Sequence, residues 1–235
     1  MPRHRRPSLT TPQRDEHRAN KGIGRAIAKA LASTPGLHVI GTTRTVANGE
    51  AAQSELAAEG VQLEFRQLDI DSVESIASFV SELGPVDVLV NNAGVDFGQY
   101  YEDGLPHADG AAPTLHTNFT NTALLTDAVL PLINKVGGRI VFVASEAGTY
   151  GFAEQPPVIR ERVEAATREE LASLAEEFVT AVTTEKNLDP RKGFETSAGW
   201  KSSMGTYGVS KMLLIRYSAP APRSPSAPQV YSRAF

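Results

Sequence analysis

Val86-Asp87-Val88-Leu89-Val90-Asn91-Asn92-Ala93-Gly94 is the stretch from which the fold of this 235-residue chain follows. Its first half is short, apolar and rich in β-branched residues, the composition of a buried strand. Its second half places small residues at the strand's carboxyl end, where open α/β sheets bind ligands. Read alone, Asn91-Asn92-Ala93-Gly94 is better explained as a plain turn, since Asn and Gly are turn formers. The context on either side changes that reading.

Outward from this stretch, strand-like runs alternate with helix-like segments. Residues 37–43 (LHVIGTT), 61–66 (VQLEFR) and 139–144 (RIVFVA) read as further strands. Helical segments are expected over 22–33, 45–59, 71–83 and 113–135. This is the rhythm of βαβ units around a parallel sheet. The third helix is expected to open on a capping box, Asp71 with Glu74. Its buried face is expected to be Val73, Ile76, Ala77 and Val80. After Ala144 the rhythm breaks. Residues 149–200 read as an insertion, with a charged helix over about 158–186 and a polar loop, before a last helix from Ser203 to Tyr217. Residues 1–18 are basic but lack an apolar core, so they read as a disordered segment and not as a secretory signal. Asp15, Glu16 and the prolines argue against an organelle transit peptide. Residues 218–235 (SAPAPRSPSAPQVYSRAF) read as a disordered tail.

Composition narrows the function classes. A net charge of −4 gives no reason to expect a nucleic-acid partner. The chain has no cysteine, which excludes disulfides and thiolate chemistry and fits a cytoplasmic protein. No apolar run approaches the roughly 18 residues of a membrane span.

Three further features bear on chemistry. Asn20-Lys21-Gly22-Ile23-Gly24-Arg25 leads into an apolar helix, and glycines at such a turn let backbone approach a pyrophosphate at a helix N-terminus. Alone it is a weak signal, because a fingerprint also needs a preceding strand and an earlier glycine. Ser145 closes RIVFVAS at a strand's carboxyl edge, where it either hydrogen-bonds a substrate oxygen or caps the chain's exit. Tyr207 and Lys211, four apart, share one helical face. A nearby ammonium favours the phenolate and brings a phenol, with its ordinary pKa near ~10, toward acid–base use. Such a pair also arises often on plain surfaces.

Taken in order, NKGIG, NNAG after a strand, Ser after the next strand and YxxxK resemble the short-chain dehydrogenase/reductase family. NKGIGRAIAKAL, VDVLVNNAG and YGVSK are similar to its carbonyl-reductase branch, over about residues 20 to 215. The resemblance implies a Rossmann-like, doubly wound parallel sheet and reduction of a ketone or aldehyde by NADPH, or the reverse reaction. It implies a tetrad in which Tyr207 donates the proton, Lys211 lowers its pKa and holds the nicotinamide ribose, Ser145 binds the carbonyl, and Asn118 supports a proton-relay water. No metal is implied. Lys21, Gly22, Ile23, Gly24, Asp69, Asn91, Ala93 and Gly94 are implied along the cofactor. Thr42-Thr43-Arg44 carries no acid where NAD-binding members place one, so Arg44 and Lys21 favour NADP(H). The long connection between Ser145 and Tyr207 matches the insertion of a branch that is often monomeric.

Two departures stand against this. His17 and Arg18 occupy the places of the family's Thr and first glycine, and Pro12-Gln13-Arg14-Asp15-Glu16 does not read as a buried strand. The central strand in the order 3-2-1-4-5-6 is therefore expected to be missing, at about 1–3 kcal/mol for each backbone group left buried and unpaired. Beyond Lys211 the family's last strands and substrate loop are likewise expected to be missing. Both ends read as products of a frame change or unusual splice, which sequencing the transcript across codons 1–22 and 212–235 tests. The tetrad and the cofactor charges support an active reductase; the missing strands support an inactive remnant acting, if at all, in binding or interaction. A Tyr207→Phe variant separates the two.

Overall fold

The computed structural model describes residues 19–97, 108–185, 188, 194–219 and 229–233. The expectations for residues 1–18 lie outside these. Helix α1 (Gly22–Ala32) leads to strand β1 (Ile40–Thr43), followed by α2 (Val46–Ala58), β2 (Glu64–Gln67), α3 (Val73–Ser81) and β3 (Val88–Asn91). A helical run then splits into α4 (Ala108–Leu115), a π-helical turn (His116–Thr120), α5 (Asn121–Val129) and a 3-10 turn (Leu130–Leu132), before β4 (Arg139–Val143). The insertion holds α6 (Glu146–Glu154), α7 (Pro157–Ala165), α8 (Arg168–Thr184) and a hairpin of β5 (Phe194–Glu195) and β6 (Lys201–Ser202). Helix α9 (Gly205–Ser218) and strand β7 (Gln229–Arg233) complete the described chain.

The parallel pairing follows the sequence rhythm, but the sheet is divided. β1 pairs in parallel with β2, and β3 with β4. Among the described residues no ladder joins β1 to β3. Each half has its own core. Ala28, Leu56, Val61 and Leu63 pack under β1–β2, while the larger core runs from Ile76 and Phe79 through Ile140 and Phe142 to Phe178, Trp200 and Leu213. Between the halves lies a cleft of about 570 Å³, lined by Ile27 and Leu31 of α1, Ile40 of β1, and Leu89 and Val90 of β3. It occupies the place where a central strand would pair with both inner edges.

Several local expectations are corrected. The third helix is capped by Ser72, whose hydroxyl accepts from Ser75 N at 3.1 Å, and not by Asp71. Its buried residues are Ile76 and Phe79, whereas Val73 is exposed. The long helix after β3 is broken because the ladder widens at His116–Thr120. The charged helix of the insertion divides at Thr167, which forms a capping box with Glu170 and so starts α8 afresh. The polar loop contains a hairpin anchored by Trp200, which is fully buried. The reading of 218–235 as a disordered tail, with no strand after α9, is corrected at 229–233, while 220–228 and 234–235 lie outside the described residues. Gln229–Arg233 pairs in parallel with β4, from Arg139↔Gln229 to Val143↔Arg233. Its Gln-Val-Tyr-Ser-Arg alternates too weakly to stand out from a Pro/Ser-rich context. No helix among the described residues is long and apolar enough to cross a membrane.

Candidate active site

The first part of the site is the rim formed by α1 and the carboxyl ends of β1 and β3. Gly22 opens α1 at φ 56°, a left-handed conformation that suits glycine. Lys21, the N-cap, gives the helix no side-chain cap, so the first-turn N–H groups are not taken by it. Gly24 is buried two residues on, within the first turn. Arg44 follows β1 and lies 3.3 Å from Asp69 Oδ1 through Nε and 3.3 Å from Asp71 Oδ2 through Nη2. Two residues named from sequence, Arg44 and Asp69, are thus brought together. Asn91, at the end of β3, donates through Nδ2 to Thr126 Oγ1 at 3.0 Å, while its buried Oδ1 accepts no hydrogen bond among the described residues. Asn20 Oδ1 is buried in the same condition. Asn91, Asn92, Ala93 and Gly24 all line the mouth of the cleft.

The second part is built around Gly94. A Cβ there would stand 3.3 Å from both Asn118 Oδ1 and Lys211 Nζ, so two of the four tetrad candidates converge on this glycine. Asn118 sits in the π-helical turn, fully buried. Its Oδ1 accepts from Val95 N at 2.7 Å, and its Nδ2 donates to Val95 O at 2.8 Å and Ser210 Oγ at 2.9 Å. Every polar position of the amide except one lone pair is therefore assigned, and its orientation is fixed. Lys211 is 3% exposed, and its Nζ donates to Val143 O at 3.1 Å. Burial pushes this ammonium down to about 8. Its Nζ lies 5.6 Å from the centre of the Tyr207 ring, on the shared face of α9 that the spacing predicts.

Ser145 follows β4 and caps α6, its hydroxyl accepting from Ala147 N at 3.3 Å. Of the two sequence readings of this serine, the structure shows the cap, with Ser145 half-buried at the strand's carboxyl edge. Helix α6 lies directly on α9 through Gly148 and Gly151. A Cβ on Gly148 would come within 2.6 Å of the Lys211 backbone, and one on Gly151 within 3.0 Å of Gly208 O. Ser145 and Tyr207 are thereby held on two helices in close contact. Sequence reasoning missed Thr126, Val95 and the Val143 carbonyl, and read Asp71 only as a helix cap. Ser210 lay inside the quoted YGVSK without a role.

The model of the short chain dehydrogenase family matches residues 19–157. Carbonyl reductase (NADPH) 1 of Macaca fascicularis is 38% identical over 200 residues, 83% of this chain and 68% of that protein. Carbonyl reductase (NADPH) 3 of Homo sapiens is 36% identical over 204 residues, 84% of this chain and 72% of that protein. Among solved structures, menthone neomenthol reductase from Mentha piperita is similar with a TM-score of 0.66 at 25% identity, covering 85% of this chain and 81% of its own.

Proposed function

The chain belongs to the short-chain dehydrogenase family, and from that premise we propose that it reduces the carbonyl of a small-molecule ketone or aldehyde to an alcohol with NADPH, or runs the reverse reaction. The observation that carries this reading is Lys211. A buried ammonium is costly unless it serves something, and this one sits beside Gly94, Asn118 and the Tyr207 ring.

NADP(H) fits the residues present. Asn20 Oδ1 and Asn91 Oδ1 are buried acceptors that suit hydroxyl or amino donors. Gly94 leaves room where any side chain would meet Asn118 and Lys211. The N-terminus of α1 suits a pyrophosphate, with Lys21, Gly22, Ile23 and Gly24 around it, and Arg44 suits a 2′-phosphate. When bound, the cofactor supplies the hydride. The protein's own residues do the rest. Tyr207 delivers a proton from its hydroxyl to the carbonyl oxygen as that oxygen gains charge. Ser145 donates a hydrogen bond to the same oxygen, which stabilises the developing negative charge. Lys211, as the ammonium, favours loss of the Tyr207 proton and holds the nicotinamide ribose. Asn118 keeps the π-helical turn locked to Val95 and supports the water through which Tyr207 is reprotonated. Asp69, Asn91, Ala93 and Gly94 line the cofactor.

The reading extends to a cytoplasmic monomer. A chain without cysteine gains nothing from an oxidising compartment. Helices α7 and α8 pack against α9, and Arg216 ties the end of α7 down by donating to the carbonyls of Val163, Glu164 and Ala166, so a helix face that could dimerise is covered. Sedimentation of the purified chain checks the oligomeric state. The reaction is tested with NADPH deuterated at its hydride-bearing carbon and a panel of ketones and aldehydes. Deuterium on the carbinol carbon of the product is expected; no alcohol from any of them overturns the reading.

A further inference from the structure

Asp71 was expected to cap a helix, and the structure gives it other work. Its Oδ1 accepts from Thr117 Oγ1 at 2.7 Å and from Asn121 Nδ2 at 3.2 Å, residues flanking Asn118. Its Oδ2 lies 3.3 Å from Arg44 Nη2, while Asp69 Oδ1 lies 3.3 Å from Arg44 Nε. One guanidinium thus stands between two carboxylates, and the trio is net negative. A 2′-phosphate carrying about −1.5 to −2 charges meets repulsion there until one carboxylate gives up its share of Arg44. Asp71 can do so cheaply, because Thr117 and Asn121 still satisfy it after the ion pair opens. All three charged side chains are about a third exposed, so the exchange needs no unpacking of the core.

We infer that Asp71 is a specificity-determining residue whose carboxylate competes with the 2′-phosphate of NADPH for the Arg44 guanidinium. The inference rests on the NADPH reading given above and deepens it. It means that the preference for NADPH over NADH is held below what Arg44 alone would give. It also means that releasing Asp71 leaves that carboxylate bound solely, within this network, to the turn carrying Asn118, which links cofactor selection to the catalytic asparagine's support.

The test is a fluorescence titration of NADPH and of NADH against wild type, Asp71→Asn, Arg44→Ala and the double variant, with melts to check folding. Asparagine keeps an oxygen for Thr117 and Asn121 while removing the charge. The NADH-to-NADPH ratio of dissociation constants should rise about fivefold in Asp71→Asn at low salt. The rise should fade at roughly 1 M salt and shrink in the Arg44→Ala background, where only direct repulsion by Asp71 is left. Asp71→Ser, neutral and smaller, should move the ratio in the same direction. If wild type binds NADPH and neither neutral variant raises the ratio, the inference is overturned and the reductase reading stands. An effect of full size in the Arg44→Ala background also overturns it, since Asp71 would then act without competing for Arg44. Wild type that binds neither cofactor sinks the inference and the reading together.

Discussion

Lys211 carries an ammonium with 3% of its surface exposed, and burial lowers its pKa from 10.5 to about 8. A lysine depressed in the folded state binds fewer protons there than in the unfolded chain between those two values. Below about 8 both states are charged and the burial penalty is fully present. Stability therefore rises with pH from about 8 to 10.5, by on the order of 3 kcal/mol. Lys211→Met is expected to melt above wild type at pH 7 while losing carbonyl reduction, and the gap should close as pH rises through that window. Equal melting at every pH would contradict the account of a charge kept for function. Tyr207→Phe should bind NADPH as wild type does but lose about 100-fold or more in reduction rate, read from NADPH consumption with a ketone. A variant as fast as wild type would remove Tyr207 from the chemistry. These two residues were legible because their spacing of four is local. Their neighbours were not. Asn118 meets Ser210, and Lys211 meets the Val143 carbonyl, across long stretches of chain, and no local pattern carries such a pairing.

Glycines decide how α6 and α9 meet. Gly148 lets α6 lie against the backbone of Lys211, where an added Cβ would stand 2.6 Å from that carbonyl carbon and 2.8 Å from its oxygen. Gly148→Ala must push α9 away, at about 1–3 kcal/mol for overpacking, and it should lower reduction without touching substrate. Gly84→Ala, with open space around it, is the control expected to leave both melting and rate near wild type. Equal effects at the two positions would show that the α6–α9 contact does not hold the site. At this scale the sequence identified the main strands and most helices by periodicity. It misplaced what side chains settle: Ser72 outcompetes Asp71 as a cap because its hydroxyl reaches Ser75 N, and Asp71 is drawn away to Thr117 and Arg44. The π-helical turn was invisible because a widened helix keeps nearly the same apolar repeat as the helix around it.

Across the whole molecule, two half-sheets flank a cleft of about 570 Å³ lined by apolar residues of α1, β1 and β3. The reading of Pro12-Gln13-Arg14-Asp15-Glu16 as unlike a buried strand falls on residues outside those the structure describes. β7 was not legible, because its partner β4 lies far back in the chain. Replacing residues 13–17 with an apolar, β-branched run is expected to raise the melting temperature by several degrees, as the inner edges of β1 and β3, which no described strand joins, gain pairs worth about 1–3 kcal/mol each. No rise would mean that the cleft does not take a strand. The central claim is that these half-sheets still present one NADPH site at their carboxyl edge. Thermal melting of the purified chain with and without saturating cofactor tests it most directly, because ligand at about 100 times its dissociation constant adds roughly 2.7 kcal/mol. The account predicts one cooperative transition that NADPH raises more than NADH. A melt without cooperativity, or one indifferent to both cofactors, would contradict it.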